Sequence, residues 1–324
     1  MWCLASAKPH ASRLKYPYNI PMQTTSNEHP APRQTQSYLR NLFGSHRLHP
    51  KSSLGQNFLI DLNLIDFVVA AAELTRADLV LEVGSGTGSL TAHLAEQAGA
   101  VLSVEIDPAF YDLACETVHA FSHARMVKAD ILKNKNQLNP EILEHFEDLS
   151  RTYKPQKRKL VANLPYAVAT PVISNLLIAG VELERMVVMV QWEIAEKLIS
   201  KPHTKEYGAL AVMVQSLADV EILRRLPPDV FWPRPKVDSG IVCVRPNAEK
   251  RAKVKDVQKL RYFLRDLYSH RRKNLRGGLI SATGNQHSKE VVDRKLAELG
   301  YSGTERAETL SIDQHLQLCE AFNE

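Results

Sequence analysis

From Leu79 onward, short apolar runs alternate with helical periodicity, and the first run ends in a glycine-rich turn, "LEVGSGTG". That alternation limits the possible folds more than any other feature. The runs "LVLEVG" (Leu79–Gly84), "AVLSVEID" (Ala100–Asp107), "ARMVKAD" (Ala124–Asp130), "KLVANLPY" (Lys159–Tyr166) and "RMVVMVQ" (Arg185–Gln191) predict strands. Between them, "SLTAHLAEQ" and "PAFYDLACETVHAF" predict helices, the second opened by Pro108. Strands separated by helices, rather than by tight turns, imply an α/β fold with a mostly parallel sheet covered on both faces.

"SGIVCVRP" (Ser239–Pro246) reads as the last strand, and the helical remainder predicts a smaller second domain over 247–324. At 324 residues, one large domain over 46–246 plus a small one is expected. Residues 1 to about 45 are rich in Pro, Ser, Gln and Thr, with no acidic residue before Glu28, and are expected to form a disordered tail. An organellar leader or a start at Met22 remains open.

No apolar run approaches the roughly 18 residues that a membrane span requires. Cys3, Cys115, Cys243 and Cys319 are dispersed and the histidines lack ligand spacing, so no metal is expected. The expectation is a soluble, cytoplasmic monomer without a membrane partner. The formal charge of +5 says little, but its placement says more. Lys250 to Arg276 contains eleven Lys or Arg against Asp256 and Asp266. Phosphate contact through Arg271, Arg272, Lys273 and Arg276 is expected, with a solvated helical face as the alternative. "PEILEHFEDLSRTYKPQKRK" (Pro140–Lys159) is expected to be a solvated charged loop.

Gly84, Gly86 and Gly88 lie between a strand and a helix, where glycine lets the backbone turn sharply and approach a ligand. Glu105 ends the next strand, placed to accept both hydroxyls of a ribose. A dinucleotide loop would read GxGxxG, whereas this one reads GxGxG with Glu82 two positions ahead. That form resembles the first motif of class I S-adenosylmethionine-dependent methyltransferases. Asp130 ends the third strand, where its carboxylate can accept from an adenine amine or cap a helix.

The fourth strand ends in "NLPY" (Asn163–Tyr166), an odd terminus for an apolar run. An exocyclic adenine amine is a poor nucleophile because its lone pair is delocalised into the ring. Two acceptors on its hydrogens would free that pair: the Asn163 amide oxygen, and the Leu164 carbonyl held extended by Pro165. Tyr166 then offers a face for the base, and Phe231 in "DVFWPRPKVDSG" a second one for an extruded purine. The plainer alternative makes Asn163 a turn cap and Tyr166 a core residue.

Taken together, "LGQNFLID" (Leu54–Asp61), "LEVGSGTGSLT", "VEID", "NLPY", "YGALAVMVQ" (Tyr207–Gln215), "VFWPRPKVDSGIV" and "RRKNLRGGL" (Arg271–Leu279) resemble the small-subunit ribosomal RNA adenine N6,N6-dimethyltransferases. The likeness runs from about Leu48 to the C-terminus. It implies a class I methyltransferase domain with a small helical domain, acting on two adjacent adenines in a hairpin loop near the 3′ end of small-subunit rRNA, as free rRNA or in an immature subunit. It further implies S-adenosylmethionine contacts at Gln56, Asn57, Leu59, Gly84, Gly86, Glu105, Asp130 and Asn163. Ala167, Trp192 and Arg306-Ala307-Glu308 depart from that pattern. A large-subunit rRNA methyltransferase of resistance type, or a non-catalytic RNA-binding factor on the same scaffold, remain alternatives.

Overall fold

The computed structural model describes residues 34–282 and 287–322. Its centre is a seven-stranded sheet of β1 (Asp78–Val83), β2 (Ala100–Glu105), β3 (Ala124–Lys128), β4 (Lys157–Asn163), β5 (Arg185–Gln191), β6 (Ala218–Leu226) and β7 (Ser239–Pro246). The spatial order is 3-2-1-4-5-7-6. The first five strands are parallel, and β7 enters antiparallel between β5 and β6. The edge strand β6 has no counterpart among the expected strands. Its middle is only partly buried, which blunts the apolar signal.

The two-residue period of a strand divides the core. Leu79, Leu81 and Val83 join one apolar cluster and Val80 and Val101 another, on the opposite face. Helices α2 (Leu62–Ala71) and α3 (Ser89–Gln97) cover the second face, while α4 (Pro108–Val118) packs beside β3. Helices α5 (Pro140–Tyr153) and α6 (Tyr166–Ile178) cover the first.

Two expectations fail here. The segment Pro140–Lys159 is not a solvated loop: Asn139 caps α5 with Pro140 at its first position, and Ile142, Phe146 and Leu149 bury one stripe. Its basic end starts β4, where the buried Lys159 ammonium bonds the Asp78 carboxylate at 3.0 Å and the Glu73 carbonyl at 2.6 Å. Nor is all of 1–45 a tail. Helix α1 (Gln36–His46), capped by Thr35, buries Leu39 and Phe43 against Phe58 and Phe110. Residues 1–33 lie outside the described residues.

After β7 the chain is helical: α7 (Trp192–Ile199) and α8 (Ala209–Gln215) precede it, and α9 (Ala248–Ala252), α10 (Val257–Ser269), α11 (Leu275–Ala282), α12 (Lys289–Glu298) and α13 (Ile312–Phe322) follow. These last helices share their core with the sheet. Leu260, Leu264, Leu267, Leu279 and Leu318 belong to the same cluster as Leu79 and Leu160. Among the described residues, no helix is long and apolar enough to cross a membrane.

Within this shared core, His315 is fully buried beneath Tyr268, their rings stacked at 5.8 Å. Its Nδ1 faces the Ser311 carbonyl at 2.8 Å and so must donate, which leaves Nε2 to accept from Tyr268 at 3.1 Å. Burial pushes its pKa down to about 4, against the raising effect of the carbonyls. The unfolded chain therefore takes up a proton below about pH 6.5 while the folded chain does not, so stability falls as pH drops towards 4. Measured by denaturant titration relative to His315→Gln, this group should contribute a loss on the order of 2 kcal/mol between pH 7.5 and 5. His315→Gln should lack that component, so the quantity to read is the difference in stability between wild type and variant at each pH.

Candidate active site

Strands β1 and β4 are neighbours, yet their paired register ends at Leu81 and Leu160. Glu82 and Val83 on one side, and Val161 to Asn163 on the other, continue without pairing to each other. The strand order reverses at this point, with β2 and β3 on one side and β4 and β5 on the other. A crevice at the carboxyl ends of the strands follows, the usual ligand position of an open α/β sheet. Its walls include Gly84, Gly86, Glu105, Asp130, Asn163 and Tyr166.

The glycine loop forms one wall. Gly84, Gly86 and Gly88 all have left-handed φ, of 83°, 54° and 77°. A Cβ on Gly88 would lie 2.9 Å from Thr117 Cβ and 3.1 Å from the Ala114 backbone, so glycine lets α3 start against α4. The Gly86 N–H donates to the Glu105 carboxylate at 2.8 Å, and the Asp107 N–H donates to its other oxygen at 2.9 Å. Each oxygen keeps a lone pair for a hydroxyl. Burial raises the Glu105 pKa, and the two N–H groups oppose that shift. Asp130 is exposed at the rim; one oxygen holds the Leu132 N–H at 2.8 Å. It therefore closes a turn, not a helix N-terminus, and its second oxygen faces no partner among the described hydrogen bonds.

Glu82 is a site group whose role the sequence reading missed. It is fully buried at the floor and accepts from Thr91 at 2.5 Å and Ser103 at 2.6 Å through one oxygen. The other oxygen, Oε1, has no partner. Burial pushes its pKa up to about 7, and the two hydroxyls pull the other way. A buried, half-satisfied carboxylate is costly and fits a polar or cationic group entering the crevice.

The roof is the segment 51–59. Gln56 accepts from the Lys51 N–H at 2.7 Å and donates to Asp107 at 3.1 Å, fastening the roof beside the end of β2. Burial works to raise the Asp107 pKa, but bonds from Lys51 and Gln56 hold it below the usual carboxylate range. Leu59 is buried and pairs with Phe231, while Phe58 pairs with Trp232. Gly55, at φ 64°, packs flat on Pro165: a Cβ there would be 3.6 Å from Pro165 Cβ.

The roof also orients the last residue of β4. Asn163 Nδ2 donates to the Asn57 backbone carbonyl at 2.8 Å. Only the NH₂ end of an amide can face a carbonyl, so the Asn163 oxygen is left to accept from something else. The Val168 and Ala169 N–H groups both bond the Pro165 carbonyl, at 3.0 and 3.1 Å, which leaves the Leu164 carbonyl outside the helix ladder. Tyr166 opens α6 half-buried, its hydroxyl 2.7 Å from Ser239 Oγ, and burial raises its pKa. Phe231 is not part of this assembly. Only 3% exposed, it packs with Leu59, Ile65 and Leu226 behind the roof and does not line the crevice. The pairing of Leu59 with Phe231 gives the reason, a long-range contact that no local motif announces.

The basic asymmetry of the C-terminal helices shrinks on folding, because acids from other segments meet it. Lys250 pairs with Asp219, Lys255 with Glu320, Arg271 with Glu308 at 2.7 Å, and Arg276 with Asp293 through both nitrogens. Lys273 bonds Ser281 at 2.8 Å, and Arg272 is exposed.

The strand order, the glycine loop and the paired acidic strand ends define a class I methyltransferase fold. A solved dimethyladenosine transferase from Plasmodium falciparum superposes with a TM-score of 0.67 at 22% identity, over 81% of this chain and 96% of that one. The 23S rRNA methyltransferase ErmE gives 0.55 at 25% identity, over 83% of this chain and all of ErmE. The family model for ribosomal RNA adenine dimethylase matches residues 47–324, and the chain belongs to that family. Proteins named ribosomal RNA small subunit methyltransferase A are 38% identical over 284 residues in Ligilactobacillus salivarius, 87% of this chain and 93% of that protein. In Halothermothrix orenii the figures are 36% over 268 residues, 83% and 86%.

The state of Glu82 is testable without a ligand. Its folded pKa lies above its unfolded one, so its contribution is present below about pH 4.5 and lost as pH rises through 7. Relative to Glu82→Gln, wild type should lose on the order of 2 kcal/mol of stability between pH 5 and 8. Glu82→Gln should remove that component, seen as a pH-dependent difference in Tm between the two proteins, and bind S-adenosylhomocysteine more weakly.

Proposed function

We propose that the chain transfers methyl groups from S-adenosylmethionine to the N6 atoms of two adjacent adenines in the 3′-terminal hairpin loop of small-subunit rRNA, within a partly assembled subunit. The observation that carries this reading is the Asn163 amide in the crevice wall, whose NH₂ is taken by the Asn57 carbonyl so that its oxygen is left as an acceptor. The names of the relatives support the small-subunit substrate.

The crevice suits the cofactor. Gly84 and Gly86 bring backbone close to it, Glu105 would hold the ribose hydroxyls, Asp130 the adenine amine, and Gln56, Asn57 and Leu59 the roof. The unpartnered Glu82 oxygen suits the charged methionyl end. When bound, S-adenosylmethionine supplies an electrophilic sulfonium methyl group. The protein then has one task, to present the target nitrogen. Asn163 Oδ1 and the Leu164 carbonyl each accept one amine hydrogen and turn the nitrogen lone pair towards the methyl carbon. Pro165 holds Leu164 extended, and Tyr166 stacks on the extruded base, a contact worth about 1–3 kcal/mol. Phe231 contributes by seating the roof strand. Orientation of this kind can supply roughly 7–11 kcal/mol, so no strong general base is needed.

Asn163→Ala should fold with near-native Tm but lower tritium transfer to immature small subunits by roughly 10²-fold or more. Wild-type turnover in that variant would remove the acceptor role, and primer extension on the product fixes which nucleotides are methylated. Phosphate contact falls to Arg272 and Lys273 more than to Arg271 and Arg276, whose charges are already met. Arg272→Glu with Lys273→Glu should weaken subunit binding and flatten its salt dependence, while Arg276→Gln should change both less.

A further inference from the structure

Gln34 lies ahead of the residues that the family model matches, yet it reaches the glycine loop. We propose that Gln34 is a positioning residue: seated by helix α1, it clamps Thr87 and so holds the glycine loop in the shape that accepts the cofactor. The proposal rests on the reading of the crevice as an S-adenosylmethionine site.

The geometry is that of a built contact. Gln34 is 1% exposed. Its side-chain oxygen accepts from the Thr87 hydroxyl, and its NH₂ donates to the Thr87 carbonyl at 3.4 Å. Burying a primary amide is unfavourable unless its bonds are made, so both ends meeting one residue marks a specific partner. Thr87 stands between Gly86 and Gly88, both left-handed, where the backbone is least constrained by its own sterics. Its carbonyl also accepts from Thr117 at 2.8 Å. The Thr87 carbonyl stands two peptide units after the Gly86 N–H, which holds the Glu105 carboxylate, so the clamp limits the turn that the loop can make just beyond that donor. The chain of contacts therefore runs from Gln34 through Thr87 and Gly86 to the group expected to take the ribose.

Helix α1 supports the clamp by a second route. Phe43 packs at 5.2 Å on Phe58 and 5.3 Å on Phe110, ring centroid to centroid. The Phe58 ring in turn lies over the loop, 3.0 Å from where a Cβ on Gly86 would stand. Thr35 caps the helix directly after Gln34, so docking of α1 and seating of Gln34 are one event. Two sites that stabilise each other do so reciprocally: cofactor binding must hold α1 down as firmly as α1 favours cofactor binding.

The test uses the full chain and S-adenosylhomocysteine or S-adenosylmethionine in calorimetry. Gln34→Met, of equal length but without the amide, should raise Kd roughly tenfold. Its kcat at saturating cofactor should stay close to wild type. Thr87→Val should raise Kd similarly, and the double variant should be no worse than either single one, because both remove the same contact. In wild type, cofactor should slow hydrogen exchange in residues 38–46, a readout that does not depend on any variant folding. A Kd within twofold of wild type for Gln34→Met, additive effects in the double variant, or exchange in α1 indifferent to cofactor would each overturn the proposal. Failure of wild type to bind either ligand would instead overturn the reading of the crevice, and the proposal with it.

Discussion

The parting of β1 from β4 is the constraint on which the site depends. Cross-strand pairing between them stops at Leu81 and Leu160, while both strands run on for two or three residues. Had the ladder continued, Glu82 and Asn163 would lie inside a closed sheet with nothing to meet. Because it stops at the reversal of strand order, connections leave to opposite sides and a gap opens between backbones that remain rigid below it. The floor, Glu82, and one wall, Asn163, are thus set by residues whose backbones belong to buried parallel strands. Precision in such a site comes from the sheet, and only the roof is made of loop.

The electrostatics follow from that placement. Glu82 and Glu105 are both buried, and their environments push both pKa values up, yet in different ways. Glu105, which lines the crevice, has a backbone N–H on each oxygen, so its charged form is solvated by the fold. Glu82 has two hydroxyls on one oxygen and none on the other. The first arrangement suits neutral hydroxyl donors; the second lacks a charge partner. A ligand with hydroxyls at one end and positive charge at the other matches this asymmetry better than one that is anionic throughout.

What could be read in the sequence was what is local. The strands carry continuous apolar runs, and the glycine loop and NLPY are contiguous, so fold class and most of the crevice followed from pattern. What was missed is non-local or disguised. Charges on the outer face hid the stripe of Ile142, Phe146 and Leu149, although Asn139-Pro140 was a legible helix start. Leu39 and Phe43 stand four apart, too brief a stripe in a polar segment to predict α1. Phe231 was placed in the site by its neighbours in sequence, whereas its neighbour in space is Leu59. The eleven cations counted along the chain were set only against Asp256 and Asp266, ignoring Asp219, Asp293, Glu308 and Glu320, which only folding brings to them.

One contact joins the roof to the end of β4. The Asn57 carbonyl that fixes the Asn163 amide belongs to the roof, and Gly55, two residues before it, lies against Pro165 of NLPY. The roof and the acceptor therefore cannot be set independently. If the roof lifts, Asn163 loses the only partner here that dictates which end of its amide faces the target, and Pro165 loses the backbone packed on it. An amide free to flip presents NH₂ as readily as oxygen, and only the oxygen can accept a hydrogen bond. The seating of the roof and the orientation of the Asn163 amide are thus one structural state, set by the same contact.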